Sequence, residues 1–117
     1  MTCLSERGDL MKYGNRKVSV NGIKFDSMRE ANRYVELSLL QRAGEISDLR
    51  LQVPFELIPK QKDSRGRVIR EIRYVADFVY TEKGKMVVED AKGFKTKEYE
   101  LKKKLLKYFH NIEIKET

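Results

Sequence analysis

Two short stretches bring together the residues best able to do chemistry. Tyr74-Val-Ala-Asp-Phe-Val-Tyr80 sets one carboxylate, Asp77, in an apolar run, and Val87-Val-Glu-Asp-Ala-Lys92 sets Asp90 and Lys92 in another. Such carboxylates are costly to bury unless something positive compensates them. In a strand, side chains two residues apart emerge on the same face, so Asp90 and Lys92 share one face and Glu89 takes the other. Only six residues, Thr81 to Met86, separate the two stretches, and Thr81-Glu-Lys-Gly84 turns the chain. Antiparallel pairing across that turn brings Asp77 beside Asp90. Two carboxylates can hold a hard divalent cation, magnesium or manganese, through oxygen ligands. Such a cation polarises a phosphodiester and acidifies a bound water. The lysine can orient that water or neutralise charge developing at phosphorus. The competing reading is a hairpin with two solvated carboxylates and a surface lysine. Asp-x-Lys alone is common; weight comes from the first Asp, the short turn, Gly93 and the helices around them.

The surrounding elements must place these groups. Val18–Phe25 reads as a hairpin, with Asn21-Gly22 as a two-residue type I′ turn. Ser27 to Ala43 reads as a helix capped by Ser27 and ended by Gly44, with Met28, Ala31, Val35 and Leu39 inward and Tyr34, Leu37 and Leu40 widening that face. Leu49–Ile58 reads as an edge or bulged strand because Pro54 cannot donate to a ladder. Lys60–Arg67 reads as a polar loop. Arg70–Tyr80 and Lys85–Lys92 are strands, and in the first Val75, Asp77 and Val79 oppose Tyr74, Ala76 and Phe78. Thr96–Phe109 is a helix with Leu101, Leu105 and Tyr108 inward, and Asn111–Lys115 is a final strand that the helix can carry across to a parallel position. The expected fold is an α/β sandwich around one mixed sheet, ordered α-β-β-β-α-β after an N-terminal hairpin. Residues 17–117 form its single domain, and 1–16 form a loosely held leader.

Composition sets the outer limits. The chain has 117 residues, 40% apolar and 37% charged, with a net charge of +7. That length suits one domain, and that charge suits either a polyanionic partner or a well-solvated basic surface. The single cysteine, Cys3, excludes a disulfide framework and a cysteine zinc site, and the single histidine, His110, leaves little for a histidine-based triad or metal centre. No apolar run approaches the ~20 residues of a membrane span, and the N-terminus lacks a signal-peptide stretch. A soluble cytoplasmic protein without a membrane partner is the expectation.

The arrangement resembles the PD-(D/E)xK (restriction-endonuclease-like) nuclease superfamily. Ala76-Asp77 stands where that superfamily has Pro-Asp, and Asp90-Ala91-Lys92 where it has (Asp/Glu)-x-Lys; Ala76 departs from the proline, a position that is not a metal ligand. More narrowly, the chain is similar to short phage and prophage endonuclease-like proteins over roughly residues 18 to 115. That resemblance includes Phe25-Asp-Ser-Met-Arg-Glu-Ala, Leu51-Gln-Val-Pro-Phe-Glu-Leu and Val88-Glu-Asp-Ala-Lys-Gly93-Phe-Lys-Thr96.

The resemblance implies a magnesium- or manganese-dependent endonuclease acting on DNA. Asp77 and Asp90 would bind the metal, and Lys92 would position water. It also implies that Glu30, on the first helix, completes the metal shell. Against this, Ser27-Met-Arg-Glu30 fits a capping box, in which Glu30 bonds the cap backbone, and both roles stay open. A Holliday-junction or other branched substrate in phage recombination or replication fits such an enzyme, acting as a homodimer because two strands are cut.

Several further residues are candidates for holding DNA. Lys95, Lys97, Lys102, Lys103, Lys104 and Lys107 lie on or before the second helix, and Arg65, Arg67, Arg70 and Arg73 form a second basic group beside the first catalytic strand. Lysines on a helix are usually a solvated face, but these follow the candidate site directly and can track phosphates. Gln52 matches a glutamine of the narrower family and can touch DNA or the site, though a plain edge-strand residue is the commoner role. Tyr74, Tyr80 and Tyr99 can stack on bases or pack. Glu89 is expected to pair with a basic residue, and His110 to cap or lie exposed. Two other classes compete: a non-catalytic nucleic-acid-binding protein that keeps the fold, and a structural or packaging protein with an incidental basic surface. Convergence of Asp77, Asp90 and Lys92 on one point discriminates against the first, and salt-sensitive DNA binding against the second.

Overall fold

The structure is a computed structural model that describes residues 17–92 and 95–117. The leader expected over residues 1–16, with Cys3, and the strand break expected at Gly93 lie outside the described residues.

A hairpin of β1 (Val18–Val20) and β2 (Ile23–Phe25) opens the described chain. Its turn residues Asn21 and Gly22 both have positive φ, 52° and 80°, as a type I′ turn requires. Helix α1 (Met28–Arg42) follows; the Ser27 hydroxyl accepts the Glu30 N–H at 3.1 Å. Past its end, Gly44 adopts φ +83° and its N–H reaches the Gln41 carbonyl at 3.0 Å, which closes the helix.

Strand β3 (Ser47–Ile58) leads through β4 (Gln61–Lys62) and β5 (Val68–Ile69) to β6 (Ile72–Glu82) and β7 (Lys85–Asp90). Helix α2 (Lys97–His110) then carries the chain to β8 (Ile114–Glu116). Thr96 caps α2 by accepting the Tyr99 N–H at 3.0 Å, and Asn111, at φ 55°, ends it. The main sheet has the order β3-β6-β7-β8, antiparallel except for the parallel β7–β8 pair. The α/β class, the mixed central sheet, the two flanking helices and the edge position of the Pro54 strand therefore hold.

Apolar burial fixes the layers. Phe25, Ala31, Leu37, Ile46, Phe78 and Tyr80 form one cluster with α1 and the hairpin. Leu57, Tyr74, Ala76, Val79, Val88, Tyr99, Leu106 and Ile114 form another with α2. Each fully buried large side chain is worth roughly 1.5–3 kcal/mol of apolar transfer. The inward stripes differ from expectation. On α1, Ala31 and Leu37 are buried and Tyr34 and Leu40 pack beside them, whereas Met28, Val35 and Leu39 are exposed. On α2, Tyr99 and Leu106 are buried and Leu105 packs beside them, whereas Leu101 and Tyr108 are exposed. Tyr34, Leu37 and Leu40 keep the expected face of α1, and on α2 Tyr99 takes the inward place expected of Tyr108.

Two further corrections concern strands. The polar loop expected over 60–67 contains β4 and the turn of a hairpin with β5. Strict alternation along β6 also fails. Ala76 packs in the α2-side cluster and Phe78 in the α1-side cluster, so the strand exchanges faces across Asp77. The β6–β7 register stops at Phe78↔Glu89, one pair short of Asp77 and Asp90.

Candidate active site

Asp77 therefore sits where β6 and β7 part. Its Oδ2 accepts the Ala91 N–H at 3.0 Å, which draws the start of the Ala91-Lys92 segment toward β6. Asp90, the last residue of β7, is 1% exposed. The Tyr74 hydroxyl donates to its Oδ2, and the Lys92 ammonium stands 3.6 Å from the same oxygen. The other oxygen, Oδ1, is buried without a hydrogen-bond partner among the described residues. A buried, unsatisfied carboxylate oxygen is rare and costly.

The electrostatics agree with the geometry. Burial pushes the Asp77 carboxyl up to about 7, and the adjacent Asp90 carboxylate pushes in the same direction against the Ala91 N–H and Lys92. Glu30 is likewise raised to about 7, by burial first and then by Asp77 and Asp26. Three acids thus crowd a region with one local ammonium, so the site is short of positive charge. The donors are hard oxygens of the kind that hold magnesium or manganese, and Asp90 Oδ1 is an acceptor free for such an ion. Among the described residues no three His, Cys, Asp or Glu side chains gather as a ligand set. Asp77 and Asp90 are the pair that meets.

Glu30 joins them through a residue that sequence reasoning underweighted. The Gln52 amide donates to Glu30 Oε2 at 3.1 Å and to Asp77 Oδ1 at 3.3 Å. Gln52 does so from β3 with φ +52°, a left-handed conformation unfavourable for a residue with a Cβ; within a strand such strain clusters at functional sites. The only sequence signal for it was the resemblance around Leu51-Gln-Val-Pro. The Glu30 carboxylate takes this amide and no hydrogen bond from the Ser27 N–H among the described residues, so only the Ser27 half of the capping box, its hydroxyl on the Glu30 N–H, is formed.

Lys92 lies just past β7, not within it as expected, yet its ammonium keeps the shared face: it stands 4.7 Å from the centre of the Tyr99 ring. Tyr99 donates to Glu116 Oε2 at 2.7 Å. Tyr74, Tyr80 and Tyr99 are all buried, and each hydroxyl donates to a carboxylate, so they pack and orient acids instead of offering faces to bases. Glu89, fully buried on the opposite face, takes a two-pronged bond from Arg33 on α1 together with the Tyr80 and Thr117 hydroxyls. It is the structural acid of the pair Glu89-Asp90, as its facing required. His110 bonds the Glu56 carbonyl at 2.7 Å, away from the site.

The basic candidates divide. A cavity of about 280 Å³ beside Lys92 is lined by Arg73, Tyr74, Thr96, Tyr99 and Lys102 among others. Lys102 pairs with Glu98, and Lys95 and Lys103 converge on Glu116. Arg73 pairs with Glu71. Lys97, Lys104 and Arg70 form no ion pair with the described residues.

Fold and site together define a mixed α/β sandwich with a carboxylate–lysine cluster at the end of its central hairpin. The chain belongs to the family described as protein of unknown function, DUF1064, which it matches over residues 10–117. No curated protein and no solved structure matches it. Among the described residues, no helix is long and apolar enough to cross a membrane.

Proposed function

We propose that this chain is a metal-dependent endonuclease of the PD-(D/E)xK type that hydrolyses DNA phosphodiester bonds. The observation that carries the reading is the buried, unpartnered Oδ1 of Asp90 beside Asp77 and Lys92. Asp77 and Asp90 would hold magnesium or manganese. When bound, the cation supplies Lewis acidity that acidifies water and offsets phosphate charge.

The remaining work falls to the chain. Gln52 and the Ala91 N–H fix the two oxygens of Asp77, and Tyr74 fixes Asp90. Lys92, a donor without a lone pair when charged, positions the attacking water and stabilises charge on the non-bridging oxygens as one P–O ester bond breaks. The α-β-β-β-α-β order supports the restriction-endonuclease-like assignment. The cavity lined by Arg73, Lys92 and Lys102 supports a phosphate track leading to the site. Branched DNA and a homodimer belong to this proposal as its substrate and assembly. The test is cleavage of supercoiled plasmid, linear duplex and a four-way junction with magnesium, manganese or chelator. Metal-dependent cutting of any of them is expected; binding without cutting under every metal condition rejects the enzyme in favour of a non-catalytic DNA-binding protein.

A further inference from the structure

The β3–β6 pairing does not finish where the main sheet does. After Ile58↔Ile72 the chain passes Pro59-Lys60, and the same register resumes as Gln61↔Ile69 and Lys62↔Val68. No residue is gained or lost between the two sides, so β4 and β5 are the far end of one long ribbon. Those two strands pair only with each other, and every residue from 61 to 70 is exposed.

An isolated two-stranded hairpin is marginally stable, yet this tip is firmly tied. Asp63 Oδ1 accepts the N–H groups of Arg65 and Arg67 at 2.8 and 2.9 Å. The Asp63 N–H reaches the Arg67 carbonyl at 2.9 Å, and its carbonyl accepts the Gly66 N–H at 3.0 Å. Gly66 takes φ +81°, the left-handed position of a three-residue hairpin loop. The only acid between residues 60 and 70 is thus spent on the turn's own backbone. Lys60, Lys62, Arg65, Arg67 and Arg70 form no ion pair with the described residues, and Val68 and Ile69 lie exposed among them.

An ordered ribbon with a cation on β4, Arg65 at the turn and Arg67 and Arg70 on either side of β5 matches a polyanion with a groove. The major groove of duplex DNA admits a two-stranded β-ribbon, and its phosphate walls meet lysine and arginine by counterion release. We propose that the β4–β5 ribbon is a second DNA-binding element, seated in a groove of duplex DNA flanking the candidate active site. The substrate class is then DNA with a double-stranded arm. Only the position of the cut rests on the nuclease reading; the ribbon's hold on duplex does not. Ile69 precedes Asp77 by eight residues, which at ~3.3 Å per residue spans at most roughly 26 Å. At ~3.4 Å per base pair that reach is about eight base pairs of duplex to one side of the site.

The test is the variant K62S/R65S/R67S measured by fluorescence anisotropy in chelator, where no metal-dependent cutting occurs, on a long duplex, a short duplex and a single strand. Because residues 61–70 are all exposed and β4 and β5 pair only with each other, circular dichroism and melting should match wild type. Duplex affinity is expected to fall at least about tenfold, and the salt slope to shrink by roughly 2–3. Single-strand affinity should change much less, and the two proteins should converge on a duplex too short for the ribbon's reach. Equal losses on duplex and single strand, a duplex loss below about threefold, or a wild type without duplex affinity at low salt overturn the inference. The last result would turn the ribbon toward an acidic protein surface. A wild type that binds duplex through the ribbon but cuts nothing overturns the nuclease reading alone.

Discussion

The Lys92 ammonium stands 4.7 Å from the centre of the Tyr99 ring while lying 3.6 Å from Asp90 Oδ2. A cation over an aromatic face gains about 0.5–2 kcal/mol, enough to hold a flexible lysine in one place. Tyr99→Leu should therefore slow single-turnover cleavage by roughly tenfold, while leaving DNA affinity near wild type. Tyr99→Phe keeps the ring and should keep the rate, losing about 1 kcal/mol of stability with the bond to Glu116. Equal rate losses in both variants would show that the ring does not position the lysine.

Gln52 offers a test of strain kept for function. Gln52→Gly removes the amide that joins Glu30 to Asp77 but relieves a left-handed conformation that costs roughly 1–2 kcal/mol in a residue with a Cβ. The variant should melt at or above the wild-type temperature, yet bind manganese more weakly in a calorimetric titration. Gln52→Leu should lose on both counts. If the glycine variant melts well below wild type and binds metal normally, Gln52 is a structural residue.

The raised carboxyls set a pH dependence. Asp77 and Glu30 are each raised to about 7 from ordinary values near 4, so between those limits the folded protein binds more protons than the unfolded chain. Stability from these groups then falls as pH rises from about 4 through 7. In chelator the melting temperature should decline from pH 5 to 8, and magnesium or manganese should restore it at pH 8, where the carboxylates are ionised. Glu89 runs the other way. Arg33, Tyr80 and Thr117 outweigh burial and hold it below its usual range, so its contribution is present at neutral pH and lost only in stronger acid. A melting temperature that is flat from pH 5 to 8 and indifferent to metal contradicts the assignment of Asp77 and Glu30.

Arg33 and Glu89 form a fork across the sheet–helix interface, with Glu89 fully buried. Removing one partner strands a buried charge, at a cost of about 3–5 kcal/mol. Arg33→Met should be destabilised on that scale in urea unfolding. The double variant R33M/E89Q should lose clearly less than the sum of its singles, because no uncompensated charge remains. Additive losses would show that the two do not act as a pair.

Much of this was legible in the sequence because it rests on local rules. Asn21-Gly22 specified a hairpin, Ser27 and Thr96 specified helix starts, and Pro54 specified an edge strand. Asp77 and Asp90 were placed together by one short turn. The rest depends on tertiary context. The exchange of faces at Asp77 arises where β6 and β7 part, which no period-2 reading contains. The inward stripe of α1 centres on Ala31, Tyr34 and Leu37 and leaves Met28, Val35 and Leu39 exposed, and that of α2 turns on Tyr99. Gln52 reaches the site only because its backbone adopts a left-handed conformation within a strand. The ribbon tip carried a readable signal in Asp63-Ser-Arg-Gly66, a hairpin loop with glycine at its left-handed position, but its short polar strands masked it as a loop.

The most direct test of the metal-dependent site is Asp90→Asn, which keeps the shape and a partner for the Tyr74 hydroxyl and removes the charge. Asp90→Ala would instead open a cavity and strand that hydroxyl. Single-turnover cleavage of the best-cut DNA, at saturating magnesium or manganese, should fall by at least about a hundredfold in Asp90→Asn. Its melting temperature in chelator should equal or exceed that of wild type, because a buried carboxylate crowded by Asp77 has been neutralised. A variant that folds, binds DNA and cuts at the wild-type rate would contradict the account.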